Sequence, residues 1–166
     1  MSQFQLAPLN ATHDRAAFNS DSEPLNRYLR EQVTQDVRRR VAACFVALAD
    51  GKRIAGYYTL ASASLLLTNL PVSTGKKLPR YPTVPAVRMG RLAVDQAFKG
   101  IGLGGALLAD ALDRAARSEI AAYALMVDAK DGAAAAFYQH HGFIALPDSS
   151  RILFLPLVSR TGNNET

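Results

Sequence analysis

The stretch KGIGLGG, residues 99–105, sets four glycines in seven positions just ahead of an alanine- and leucine-rich run. Glycines this dense before a helix let a backbone come close to a partner, and four chemistries compete for that role. A phosphate loop of the GxxxxGK[ST] type needs a lysine and a hydroxyl for phosphate and magnesium. Ala106 and Leu107 follow Gly105 instead, which excludes it. A dinucleotide fingerprint is formally satisfied by Gly100, Gly102 and Gly105, with Asp128 at the end of a later strand. However, Asp95–Lys99 separate these glycines from their strand, and too little chain follows to complete a dinucleotide sheet. A purely structural turn asks for only one or two glycines. Here Gly102 and Gly104 are expected on the first helical turn, where glycine costs about 1 kcal/mol relative to alanine. A diphosphate cradle fits best: free first-turn N–H groups and the helix dipole favour an anion, Lys99 adds a cation at the mouth, and no metal is required. The diphosphate of coenzyme A suits such a site.

Charge gives a second pointer. The chain carries a net charge of +5 over 166 residues. Between Pro71 and Val94 stand Lys76, Lys77, Arg80, Arg88 and Arg91 with no acid among them, and Arg38, Arg39 and Arg40 close an expected helix. Such clusters suit a polyanion, RNA or a phosphorylated cofactor, or are simply a solvated face. Cys44, the single cysteine, sits in the strand-like VAACFVALA and reads as a buried, inert thiol. His13, His140 and His141 show no metal-ligand spacing, and Asp95 and Asp128 at strand ends read as structural. No apolar run is long enough to span a bilayer, and no cleavable leader pattern opens the chain; a cytoplasmic protein is expected.

These groups must be positioned by a small set of elements. Phe4–Ala7 reads as a strand ended by Pro8, with a helix capped by Asn10 or Thr12 running to about Phe18. A second helix is expected over Ser22–Val37, with Ser22 as N-cap, Pro24 in its first turn and Leu25, Leu29 and Val33 along one face. Val41–Ala49 and Arg53–Ala63 form a hairpin about Asp50–Gly51. The proline- and threonine-rich LTNLPVSTGKKLPRYPTVP is too irregular for strand or helix and reads as a long functional loop. A strand over Val84–Asp95, a helix from about Gly102 to Ser118, a strand over Ala122–Asp128 and a helix over Asp131–His140 closed by Gly142 follow. Short strands at Phe143–Leu146 and Arg151–Val158 precede a frayed TGNNET tail. The order implies one α/β domain over residues 1–160, a mixed sheet flanked by helices, and a flexible tail at 161–166.

Two of these segments resemble known motifs. RLAVDQAFKGIGLGGALL is similar to motif A of the GNAT superfamily of N-acetyltransferases, [QR]-x-x-G-x-[GA], with Lys99, Gly102 and Gly104 at the defining positions. Lysine in place of Gln/Arg is a mild departure, because backbone groups make most of that loop's contacts. LMVDAKDGAAAAFYQHHGF resembles motif B, N-x-x-A-x-x-[FL]-Y-x-x-x-G-F: Ala134, Phe137, Tyr138, Gly142 and Phe143 match, and Asp131 replaces asparagine. Upstream, FNSDSEPLNRYLREQVTQDVRR, the hairpin and TGKKLPRYPTVPAVRMGRLAVD resemble the acetyltransferase toxins of bacterial type II toxin–antitoxin pairs.

The resemblance implies a GNAT fold: a mostly antiparallel mixed sheet with a splayed strand pair and about four helices. It implies acetyl-CoA held by the backbone of Leu92, Ala93 and Val94 and by Lys99, Gly100, Ile101, Gly102, Leu103, Gly104, Gly105, Asp131 and Phe137. Tyr138 is implied as general acid, since a phenol can protonate a thiolate whose conjugate acid lies near 8 to 9. The implied substrate is the α-amine of aminoacyl-tRNA, which needs little help from a base. Lys76, Lys77, Arg80, Arg88 and Arg91 would line the acceptor-end approach, with Arg91 nearest the acetyl group and Arg38–Arg40 extending the surface. Implied partners are a ribbon-helix-helix antitoxin, a second copy of the chain in a homodimer, and DNA only through the antitoxin. Two alternatives stay open: an acetyltransferase for a small-molecule or protein amine, and a non-catalytic binding module of this fold.

Overall fold

The fold is taken from a computed structural model that describes residues 3–157. Its strands are β1 (Gln5–Pro8), β2 (Ala43–Leu48), β3 (Ile54–Leu66), β4 (Thr83–Val94), β5 (Ala124–Asp128), β6 (Ile144–Leu146) and β7 (Ser149–Pro156). They lie in the order β1-β2-β3-β4-β5-β7-β6. β1 with β2, β2 with β3, β5 with β7 and β6 with β7 pair antiparallel, whereas β4 and β5 run parallel. The mixed, mostly antiparallel sheet is the expected one. The expected frayed tail at 161–166, and the end of the last strand at Val158, lie outside the described residues. Among the described residues, no helix is long and apolar enough to cross a membrane.

Two compact units divide the chain: residues up to Ala61 with Gly90–Ala111, and Ser62–Met89 with the chain from Leu112 onward. The first holds β1, β2 and the hairpin, whose turn is closed by Asp50 Oδ1 accepting from the Arg53 amide at 3.1 Å. Its helical segment is α1 (Glu23–Arg27), a π-helical turn at Tyr28–Gln32, and α2 (Val33–Arg38). Ser22 caps α1 by accepting from the Leu25 amide, with Pro24 in the first turn, as the sequence implies. The π turn interrupts what reads as one regular helix. Leu29 and Val33 are buried with Phe18, Val46, Ile54 and Tyr57 to form this unit's core.

α2 ends in a full Schellman closure: the Val41 amide donates to Asp36 O and the Arg40 amide to Val37 O. The residue in the left-handed conformation there is Arg40, at φ 61°, where glycine is usual. The helix expected over 10–18 is absent; local turns replace it. Asn10 Oδ1 accepts from the Thr12 amide and hydroxyl, and Asp14 Oδ1 from the Ala17 amide. Side chains that bond nearby backbone this way compete with the helical ladder and win.

The second unit is cored by Leu65, Leu70, Val84, Ala86, Ala124, Leu146 and Phe154, with Leu67 and Leu78 packed against them. The proline-rich segment is therefore not irregular throughout. It carries a 3-10 turn at Leu67–Asn69 and a one-turn helix α3 (Val72–Gly75), pinned by Leu70 and by the Leu67 amide donating to Pro82 O. The helix α5 (Gly132–His140) begins at Asp131, whose Oδ1 accepts from the Ala134 amide at 2.8 Å, and stops at Gly142 with φ 94°. The helix α4 (Leu103–Arg117) runs from the first unit into the second.

Candidate active site

In the first unit, β4 leads into the glycine loop through Asp95. Its carboxylate is buried and fully committed: Oδ2 accepts from the Asn19 amide and Oδ1 from the Ala97 amide, both at 2.8 Å. Asp95 thereby caps the 3-10 turn Gln96–Phe98 and fixes where the loop begins. That is the structural role expected of it. Gly100 and Gly102 then stand at φ 79° and 86°, conformations that side-chain-bearing residues adopt at a cost. Gly102 precedes α4 rather than lying in its first turn, so its glycine answers to backbone conformation and not to a tolerated helical penalty.

The loop is nevertheless more than a turn. A Cβ built on Gly100 or Gly102 would meet no protein atom within 4 Å, so packing does not demand these glycines. The first intrahelical bond of α4 joins the Ala106 amide to Gly102 O. Earlier amides, Leu103, Gly104 and Gly105, have no carbonyl four residues back within the helix, and the glycine before it carries no side chain to cap them. Open space, free donors and the positive end of a 15-residue helix are the features that binding a diphosphate requires.

Ile101, at the loop's tip, is exposed. Leu92 and Val94 are half-buried and Ala93 is buried. β5 pairs with β4 only over Ala86–Met89, so Gly90–Val94 continue beyond the last β5 pair.

Two cations expected at the site have partners in this unit. Lys99 Nζ lies 2.5 Å from Asp21 Oδ2. The Arg91 guanidinium lies 3.5 Å from the centroid of the Tyr28 ring, whose hydroxyl donates to Asp36 Oδ2 at 2.7 Å. Arg91 is thus packed against the π turn rather than extended toward a substrate. Burial, then the bond to Asp36, raises the Tyr28 phenol well above its ordinary range. Arg38, Arg39 and Arg40 are exposed at the end of α2.

In the second unit, Tyr138 is 8 % exposed and packs against Phe137 and Phe143, with ring centroids 5.3 and 5.5 Å away. Phe137 is half-buried, and its carbonyl lies 2.9 Å from His141 Nδ1. Burial pushes the Tyr138 phenol up to about 12, not the ordinary 10 that the sequence alone implies. Its hydroxyl makes no hydrogen bond to another described residue. No fully buried side-chain oxygen or nitrogen of the described residues lacks a partner, so that hydroxyl must reach solvent. A buried ring with an unbonded, wet hydroxyl has the geometry of a proton donor.

Asp131, by contrast, already spends one carboxylate oxygen on capping α5. Arg88 stands 3.6 Å from Asp128 Oδ2, an exposed pair. Lys76, Lys77 and Arg80 are exposed and form no ion pair among the described residues.

Comparison with known proteins decides the family: the acetyltransferase (GNAT) domain matches residues 15–153. The chain belongs to the GNAT acetyltransferases. A tRNA-acetylating toxin of Mycobacterium tuberculosis (strain ATCC 25618 / H37Rv) is 35 % identical over 86 % of this chain and 85 % of its own. AtaT complexed with acetyl-methionyl-tRNAfMet superposes with a TM-score of 0.89 at 27 % identity, covering 98 % of this chain and 99 % of AtaT. AtaTR bound with AcCoA gives 0.81 at 28 %, covering 96 % of both chains. A mutant AtaT toxin bound to the C-terminus of the antitoxin AtaR gives 0.80 at 25 %, over 95 % and 96 %. Among GNAT proteins, this chain therefore sits near toxins in sequence and in fold. Tyr28, with its π turn, is the feature that sequence reading misses, because Leu25, Leu29 and Val33 keep a helical spacing across it.

Proposed function

We propose that this GNAT protein is the toxin of a toxin–antitoxin pair, transferring acetyl from acetyl-CoA to the α-amine of aminoacyl-tRNA and so stopping translation. The observation that carries the catalytic part is Tyr138: a buried phenol whose hydroxyl is unbonded and open to solvent. The relative that acetylates tRNA and the AtaT complex with acetyl-methionyl-tRNAfMet support the choice of acceptor.

When bound, acetyl-CoA supplies an activated acyl thioester. The chain's own residues bind, align and protonate. The amides of Leu103, Gly104 and Gly105, with Gly100, Ile101 and Gly102 shaping the loop, would hold the diphosphate. The backbone of Leu92, Ala93 and Val94 would align the acyl arm, and positioning of this kind is a large part of such catalysis. Phe137 packs beside Tyr138 and keeps its ring in one orientation. Tyr138 Oη would give its proton to the departing thiolate. With its pKa raised, the phenol is neutral at every physiological pH, so the donor is always loaded. No base is assigned, because an α-amine with a pKa of roughly 7.7 to 8.0 is partly neutral already.

Lys76, Lys77 and Arg80 are the cations best suited to phosphates, with Arg38–Arg40 as a second basic group; Arg88 and Arg91, each held by a neighbour, take a supporting part. An acid-free basic segment disfavours small cationic acceptors. In this reading the protein works in the cytoplasm as a homodimer, held in check by a ribbon-helix-helix antitoxin through which alone it meets DNA. Incubation with labelled acetyl-CoA and total charged tRNA tests the reading. Label is expected on the amino group of an aminoacyl ester, and its absence from tRNA would remove aminoacyl-tRNA as substrate.

A further inference from the structure

The segment between β3 and β4 exposes two large apolar side chains, Val72 and Tyr81, and of the two only Tyr81 offers a flat ring. Tyr81 follows Arg80 and is 69 % exposed, whereas Tyr28, Tyr57, Tyr58 and Tyr138 are all buried. Its ring packs on no other ring or cation among the described residues. The segment that presents it is well anchored. Leu70 is buried, Leu67 and Leu78 pack on the second unit's core, and the Leu67 amide donates to Pro82 O immediately after Tyr81. α3 and the turn after it are closed by the Lys76 amide to Val72 O, the Lys77 amide to Thr74 O and the Leu78 amide to Gly75 O. A pinned backbone thus holds three exposed cations and one exposed ring on a stretch without an acid.

Cations alone would serve any polyanion. A bare ring among them adds a requirement for a flat, unstacked partner, which single-stranded nucleic acid supplies and duplex does not. We propose that Tyr81 is a stacking platform for an unpaired base of the RNA substrate, with Lys76, Lys77 and Arg80 holding the phosphates on either side. The proposal rests on the aminoacyl-tRNA reading and deepens it: Tyr81 receives the single-stranded 3′ end, and the cations receive the backbone that leads to it.

The test uses the whole chain and two RNA hairpins of one sequence, one blunt and one with an unpaired 3′ tail of about four nucleotides. Affinities are measured across a salt series. Wild type should prefer the tailed hairpin. Tyr81→Ala should weaken binding to the tailed hairpin by roughly 5- to 150-fold, leave the blunt one unchanged and leave the salt slope unchanged, since stacking releases no counterions. Tyr81→Phe and Tyr81→Trp should retain the preference. Lys77→Gln should instead weaken both hairpins and lower the slope by about 1. A matching melting temperature for each variant keeps folding out of the comparison.

Equal tailed-hairpin affinity for Tyr81→Ala and wild type would overturn the stacking role and leave Tyr81 to a protein-facing surface, with the RNA reading intact. Loss on Tyr81→Phe would replace stacking with a hydroxyl contact, which also overturns it. No binding of either hairpin by wild type would sink the RNA reading and this proposal together.

Discussion

The two compact units treat their tyrosines in opposite ways. In the first, Tyr28, Tyr57 and Tyr58 are buried, and each hydroxyl is committed: to Asp36 at 2.7 Å, to Leu25 O at 2.7 Å and to Asp110 at 2.6 Å. In the second, Tyr138 is buried with an unbonded hydroxyl, and Tyr81 is exposed with a free ring. A buried polar atom without a partner costs free energy, so proteins satisfy such atoms unless something else does. The first unit's phenols hold the fold together. Of the second unit's phenols, Tyr123 packs on the core, and Tyr138 and Tyr81 are the two proposed to meet a ligand. The cations do not divide so cleanly: in the first unit Arg91 and Lys99 are engaged but Arg38–Arg40 are exposed, and in the second Arg88 is paired with Asp128 while Lys76, Lys77 and Arg80 are open.

Exchanging phenol for phenyl in both units should break the comparison most sharply. Tyr138→Phe should lower turnover by roughly 10²- to 10⁴-fold while acetyl-CoA still binds and the melting temperature holds. Tyr57→Phe should do the reverse: stability falls by about 1 to 2 kcal/mol as Leu25 O loses its donor, and turnover stays near wild type. Near-normal turnover of Tyr138→Phe would return Tyr138 to the core. The pH profile adds a check. Turnover should rise with pH through the substrate amine and not fall again below about pH 10, because a phenol raised to about 12 keeps its proton there. An alkaline fall near pH 9 would mean that the proton comes from elsewhere.

Alkaline unfolding gives the next largest effect and draws on both units. Burial raises the Cys44 thiol from 9.0 to about 12 and the Tyr138 phenol from 10.0 to about 12. A group whose folded pKa lies above its unfolded one stabilises the fold fully below the unfolded value and loses that contribution as pH rises toward the folded one. The contribution of these two groups should therefore be flat below about pH 9 and then fall, by about 1.4 kcal/mol per pH unit for each group that has passed its unfolded pKa. Urea midpoints at pH 8 and pH 10.5 measure this, and Cys44→Ala should remove the part that starts first. An unchanged midpoint would show that the thiol and phenol are less shielded than their packing implies.

What was legible in the sequence was what the backbone itself demands. Ser22 and Asp131 announce helix starts and Gly142 announces a stop, each by a local rule written within a few residues, whereas the positive φ of Gly102 was missed because the glycine was expected inside the helix. The partners of side chains were hidden. Lys99 meets Asp21 and Asp95 meets the Asn19 amide, across 78 and 76 positions of chain. Nothing near either residue foretells such a meeting, so Lys99 and Arg91 read as free cations. The turns at 10–18 were hidden for a different reason: Asn10 and Asp14 can cap a helix or close a turn with the same oxygens, and the choice is settled by tertiary packing. The difference between Tyr138 and Tyr57 was equally invisible, since employment of a hydroxyl is a property of its surroundings. Only the motif around Tyr138 singled it out.

Arg40 offers the smallest effect and the finest test of the division between engaged and open groups. It occupies the left-handed position of the closure after α2, at φ 61°, where glycine would cost less. Arg40→Gly should therefore stabilise the chain by about 1 kcal/mol, seen as a higher urea midpoint. An arginine at such a position is a reason to test whether its charge has a use. If Arg40 meets RNA, the same substitution should weaken RNA binding and lower the salt slope by about 1. Stability and binding would then move in opposite directions on one substitution. If both improve or binding is unmoved, Arg40 is only a helix end. The second basic group would then shrink to Arg38 and Arg39, leaving Lys76, Lys77 and Arg80 as the main cations proposed for phosphate.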